Sequence, residues 1–323
     1  MRETPLMYSA QGQSLPSAVE LGLVCDPRLL RAELGALRTA GAPLAVAEGR
    51  RVLALHSPGG DPGRTDPGGP GLRGFAPTCW LEHAPLLAGI LRSLPAPLRS
   101  VRLVALAPGA VLTKLQTAKI GPPWGLCRLH LPLVGGAESR VVFIDDKSHW
   151  QPGSLWFAAS WRQHALVNHT DEELVHMVID LHHTAALAGL FPTDLQACLR
   201  APFVLERRPA VCLDPAELHH YICRFPLPEA FTNWENPGHF LPRDALRNVV
   251  PAEIVTHRST LRLLVAGRPF CTLEHLGDGE FRMCGWSEER TLRVRAGAAG
   301  PAAVVVEARE GAYFYRVSLA TEV

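Results

Sequence analysis

The spacing of apolar residues changes character several times along the chain. Residues 22–40 (GLVCDPRLLRAELGALRTA) place apolar side chains at helical spacing, with Asp26 and Pro27 as N-cap and first helical residue. Residues 57–74 (SPGGDPGRTDPGGPGLRG) break any periodicity with glycine and proline. They are expected to form a flexible loop, a mobile surface excursion ahead of the core. From about residue 100 the runs shorten and become β-rich: VRLVALAPG, CRLHLPLV, SRVVFID, GSLWFAAS, HALVNHT and VHMVIDL, parted by Gly, Pro or charged breaks. Strands at this spacing without intervening helices predict a β-sandwich or barrel. Residues 183–200 and 214–224 read as helical, the second starting at Asp214-Pro215. A second β-rich region begins near 258 with TLRLLVAG, PFCTLEHL, EFRMCGW, RTLRVRAG, AAVVVEAR and YFYRVSL, and HLGDGEF marks a hairpin turn. The expected division is a flank over 1–100, a β core over 101–183, a helical or loop connection over 184–257 and a C-terminal β domain over 258–323.

Composition narrows the class without changing this picture. Hydrophobic residues make up 47% and charged residues 20% of the 323, the proportions of a globular protein. A net charge of +1 gives no field to attract nucleic acid or an anionic membrane. No run reaches the roughly 18 apolar residues of a membrane span, and MRETPLMYSA does not read as a signal peptide, so the expected location is cytoplasmic. The eight cysteines form no C-x-x-C pair and are expected as free thiols rather than zinc ligands.

Residues 101–183 carry motifs in a recognisable order. VRLVALAPG ends a strand in Pro-Gly, GLCRLHLPL contains an R-x-H pair, WQPG is followed eleven residues after its glycine by His164, and LVHMVIDL closes the series. In that order the segment resembles the aspartyl/asparaginyl β-hydroxylase family, with its related proline hydroxylases. The resemblance implies a mainly β fold with flanking helices: a double-stranded β-helix (jelly-roll, cupin-like) core plus the smaller C-terminal β-rich domain. It also implies a dioxygenase that uses Fe(II) and 2-oxoglutarate. His164 maps onto the second metal ligand, and Arg128 and His130 onto the basic strand residues that help hold the co-substrate.

The pattern departs from the family at two positions. Leu115 stands where the first ligand histidine is expected, with Thr117 in place of its carboxylate partner, and an aliphatic side chain cannot bind a metal. Leu174 stands ten residues after His164, where the family anchors 2-oxoglutarate with an arginine. Strand alternation puts Arg128 and His130 on one face and Leu174 and His176 on one face, so His130, His164 and His176 are expected together inside the barrel. They are the candidate catalytic residues, with His164 the candidate metal ligand and Arg128 and His130 the candidate co-substrate residues. The alternative is that His176 is a core histidine and His130 bonds a neighbour.

Other candidates read as structure. Asp145, Asp146 and His149 form a polar turn, His169 sits at a strand end, and the adjacent pairs His182-His183 and His219-His220 point apart on a helix. Trp156 and Trp161 are expected as core fillers and Trp124 at the barrel mouth, while NWENPGHF, with Trp234, Glu235 and His239, reads as a surface loop. The functional expectation is an oxygenase-fold protein acting on an amino acid, peptide or small biosynthetic intermediate, with a non-standard or lost iron site. Two alternatives stand beside it: a metal-independent enzyme of the same barrel using His/Arg acid–base chemistry, and a non-catalytic pseudo-oxygenase with a protein partner.

Overall fold

The computed structural model describes residues 15–44, 49–111, 117–136, 139–143, 149–235, 244–297 and 300–322. Strand β1 (Ala18–Val24) takes up the first residues of the run read as helical, and the helix starts at the expected Asp26-Pro27 as α1 (Pro27–Thr39). Asp26 caps it by accepting from the Arg28 amide at 2.8 Å, and Pro27 fills the first turn, where its missing N–H costs nothing. Leu30, Leu34 and Leu37, one turn apart, are the residues it buries. Then follow β2 (Arg50–Pro58), β3 (Phe75–Pro77), α2 (Pro85–Ser93), β4 (Leu98–Leu106), β5 (Leu126–Val134), β6 (Ser139–Phe143), β7 (Ser154–Ala158), β8 (His164–Asn168) and β9 (Leu174–His182).

The chain folds these strands by passing back and forth between two sheets. The larger has the order β1-β7-β5-β9-β4-β2-β3; in the smaller, β8 pairs with β6 and meets Val111 by a bridge to Val167. Thus β4, β5, β7 and β9 lie in one sheet, while Val111, β6 and β8, which alternate with them along the chain, lie in the other. That alternation is a double-stranded β-helix, and the protein is mainly β. The outer face of the large sheet (Leu103, Leu129, Leu131, Phe157, Met177, Ile179, Leu181) packs with the leucines of α1 and α2 in one apolar cluster. Each fully buried side chain of this kind is worth about 1.5–3 kcal/mol. Intervening residues face inward, and they include the polar ones.

The connection contains less α-helix than its spacing predicts. Residues 185–190 and 215–221 are 3-10 turns, and only α3 (Thr193–Leu199) is a regular helix there. The C-terminal strands begin earlier than expected. They are β10 (Cys223–Pro228), followed by the one-turn α4 (Glu229–Thr232), then β11 (Val249–His257), β12 (Thr260–Val265), β13 (Arg268–Gly277), β14 (Glu280–Met283), β15 (Arg290–Gly297), β16 (Gly300–Glu310) and β17 (Tyr313–Ala320). They form one sequential antiparallel meander. Arg224 and Glu322 exchange two backbone hydrogen bonds (2.9 and 2.8 Å) across its two ends, nearly closing a barrel. Its interior is apolar, built from Phe225, Leu263, Phe281, Leu292, Val304 and Val306 among others. The expected hairpin at HLGDGEF joins β13 to β14, with Asp278 and Gly279 at positive φ (49° and 68°).

The Gly/Pro-rich segment is a strap rather than a free excursion. Gly71 donates to the Cys284 carbonyl and accepts from the Thr272 amide, both at 3.0 Å, and the Leu72 carbonyl accepts from the Thr272 hydroxyl at 2.9 Å. Gly69 lies under Trp234 so closely that a Cβ would fall 2.1 Å from the indole. Glycine here permits close approach instead of mobility. Lys119, ahead of β5, forms a buried ion pair with Glu289 (2.5 Å), and Arg207, in the connection, forms a half-buried one with Glu274 (3.1 Å). No helix among the described residues is long and apolar enough to cross a membrane.

Candidate functional site in the barrel

The inner face of the large sheet brings together residues far apart in sequence. Strand register aligns Arg102, Val178, His130 and Trp156 in one row across β4, β9, β5 and β7; His176 lies in the next row, between Val104 and Pro132. The rings of His130 and His176 stand 5.7 Å apart, edge to face. Trp150 covers both, 5.2 Å from His130 and 5.9 Å from His176, and stacks on Trp156 at 5.3 Å. The turn that delivers Trp150 needs Gly153: its φ is +90°, and a Cβ would lie 2.2 Å from the Cys25 carbonyl oxygen.

Arg128 is committed to a carboxylate on this same face. It forks onto Asp180 through Nε and Nη2 (2.6 and 2.8 Å), and Arg102 adds a third contact at 2.9 Å. Burial pushes the Asp180 carboxyl up, but Arg128 and Arg102 outweigh it and hold it below the usual range. Leu174 is buried with Val104, Leu106 and Val178.

The three histidines differ. Burial pushes His176 down to about 3, and burial, reinforced by His176 and Arg128, holds His130 well below its ordinary value. Both are neutral at pH 7, and each has a buried Nδ1 with no hydrogen-bond partner, as does the Trp150 indole N–H. Orphaned buried polar atoms are rare and call for a physical reason. His164 is half-buried at the start of β8, 5.6 Å from the Phe143 ring; burial lowers it too. Its Nδ1 meets the Arg162 carbonyl at 2.9 Å, so Nδ1 carries the proton and Nε2 keeps its lone pair. A metal ligand or a general base needs that tautomer.

The remaining sequence candidates fall elsewhere. Trp124 is buried against Trp161 (6.5 Å) in the outer core, not at a mouth. His182 contacts Arg207, while His183 bonds the Leu199 carbonyl at 3.0 Å, the two diverging at the end of a strand rather than on a helix. Trp234 packs on Gly69 and Trp286, while Glu235 beside it is exposed in the loop. Leu115, Asp145, Asp146 and His239 lie outside the described residues. Sequence reasoning passed over Trp150 as the motif's tryptophan and Asp180 as its aspartate. The strand alternation that placed His176 inward already placed Asp180 inward as well.

Residues 73–184 match the family model described as Aspartyl/Asparaginyl beta-hydroxylase. Over those residues the barrel is similar to that family. The match stops before the C-terminal barrel. No protein of curated function matches the chain. Among solved structures, the chain is similar to a viral collagen prolyl hydroxylase from Paramecium bursaria Chlorella virus-1, at 11% identity over 52% of this chain and 96% of that one, TM-score 0.34. It is similar to a 2OG-Fe(II) oxygenase-family oxidoreductase from Burkholderia pseudomallei (12%, 51% and 84%, TM-score 0.36). A Pseudomonas putida prolyl-4-hydroxylase gives 16%, 51% and 92%, with a TM-score of 0.32. Overlaps this low carry no weight for the chemistry of this chain.

Iron and 2-oxoglutarate, which that family implies, do not fit the donors found here. Among the described residues no three His, Cys, Asp or Glu side chains converge as a metal requires. Leu115 has no donor atom, Leu174 is apolar, and Arg128 is already forked onto Asp180.

Proposed function

We propose that this chain is an oxygenase-fold protein that has lost the iron/2-oxoglutarate cycle. On this reading the barrel interior binds an amino acid, a peptide residue or a small biosynthetic intermediate and transforms it by acid–base chemistry. The observation that carries the reading is the paired loss of co-substrate anchors, Leu174 in an apolar cluster and Arg128 closed on Asp180. A bidentate pair inside a barrel is not given up to a diffusing dicarboxylate without leaving Asp180 buried and uncompensated. His164, with a basic Nε2 presented and Nδ1 fixed, is the general base, while His130 and His176 act as neutral hydrogen-bonding groups toward the bound molecule.

Thermal unfolding tests this reading. Anaerobic Fe(II) with 2-oxoglutarate is expected to leave the midpoint of the wild type unchanged. A panel of amino acids and small acids is expected to contain a stabilising ligand that His164→Ala can no longer convert. Saturable stabilisation by 2-oxoglutarate would overturn the proposal.

A further inference from the structure

A pocket of about 290 Å3 lies where the barrel meets the C-terminal domain. None of the three barrel histidines lines it. Its walls come from the strap (Asp66, Gly68), the start of β4 (Arg99), the segment 117–120 and, beyond the family match, Trp234, Glu235 and Trp286. Arg99 is its unusual member. Its guanidinium is fully buried, 5.2 Å from the Phe75 ring and 4.8 Å from Trp286. Its hydrogen bonds are to two carbonyl oxygens, Gly285 through Nε at 3.3 Å and Gly68 through Nη2 at 3.2 Å.

No carboxylate touches Arg99 among the described residues, and Asp180, the acid that acts on it through space, is shared by Arg102 and Arg128. Burial brings Arg99 down to about 10, so it stays charged at pH 7. A desolvated cation of this kind is costly unless an anion joins it. Lys119, the other cation on the wall, is already paired with Glu289.

We propose that this pocket binds a small aromatic carboxylate, its carboxylate on the Arg99 guanidinium at the floor and its ring against Trp234 and Trp286. The aromatic walls supply a flat apolar surface, and the planar fork of arginine matches a carboxylate. At the rim Asp66 is forked by Arg64 (2.7 and 3.1 Å) and Glu235 is exposed, so a monoanion meets less repulsion there than a dianion. The strap holds the site in shape, since Gly69 sets how far the Trp234 indole enters it.

Isothermal titration of the full chain with phenylacetate, phenylacetamide and phenyl phosphate tests this. Phenylacetate is expected to bind saturably, the neutral amide at least tenfold more weakly, and the dianionic phosphate ester more weakly than phenylacetate. Trp234→Ala, at a half-buried position, is expected to weaken phenylacetate at least tenfold. Gly69→Ala, which forces the indole to move, is expected to do the same. Arg99→Gln removes the charge, and where that variant fails to fold the amide comparison decides. Absence of saturable phenylacetate binding, equal binding of acid and amide, or an unaffected Trp234→Ala variant would each overturn the proposal.

Discussion

Two β-structures in this molecule enclose two different interiors. The C-terminal meander fills its inside with Phe225, Phe281, Leu292 and Val304, an apolar core whose stability comes from burial. The double-stranded β-helix carries Arg102, Arg128, Asp180, His130 and His176 on its inner face, with orphaned nitrogens on both histidines and on Trp150. Burying such groups costs free energy that apolar side chains would not. One barrel is spent on stability, the other keeps polar groups at stability's expense. The proposed function assigns these retained polar groups to handling a ligand.

The comparison breaks most visibly at Asp180. Asp180→Ala leaves Arg128 and Arg102 buried without their counter-ion and is expected to cost about 3–5 kcal/mol in chemical denaturation. Replacing the three together, Arg102→Met with Arg128→Met and Asp180→Leu, is expected to recover most of that loss. An equal loss in the triple variant would show that the charges hold the fold rather than burden it. In the apolar barrel, Leu292→Ala is expected to cost about 2–5 kcal/mol through cavity formation.

A smaller effect separates the interiors by pH. His176 sits at about 3 in the fold against about 6.5 unfolded, so the folded state stays neutral where the unfolded state takes up a proton. Its contribution to stability is complete above about 6.5 and is lost as pH falls toward 3. The slope is up to roughly 1.4 kcal/mol per pH unit for each such histidine. His176→Leu is expected to flatten the fall in denaturation free energy between pH 6.5 and 4. An unchanged slope would remove His176 from the acid response. Smallest is His164→Ala: half-buried, it is expected to keep stability within about 1–2 kcal/mol of the parent while abolishing conversion of the barrel's ligand.

Much of the barrel was legible in the sequence because its strands alternate with period two and end at Gly, Pro or charged breaks. Strands β4 to β9 stand where the runs predicted them, and alternation placed Arg128, His130 and His176 on the inner face. What the pattern could not carry was partnership. Arg128 read as a residue open to a co-substrate because the carboxylate opposite it is 52 positions away, visible only through the β5–β9 register. The strap at 57–74 read as mobile because glycine marks both freedom and close approach, and its contacts with Trp234, Thr272 and Cys284 distinguish them. Strands β10 and β11 were missed because prolines at 226, 228 and 251 disguise strands that end a sheet or border its seam.

The central claim, that the fold has been kept without the iron/2-oxoglutarate cycle, is tested most directly by a single-turnover assay. Protein purified without oxygen and loaded with Fe(II) would be mixed with 2-oxoglutarate and oxygen, and succinate counted against protein. The account predicts no succinate above the protein-free control, with or without added amino acids. Stoichiometric succinate that disappears in His164→Ala would contradict it and return this barrel to oxygenase chemistry.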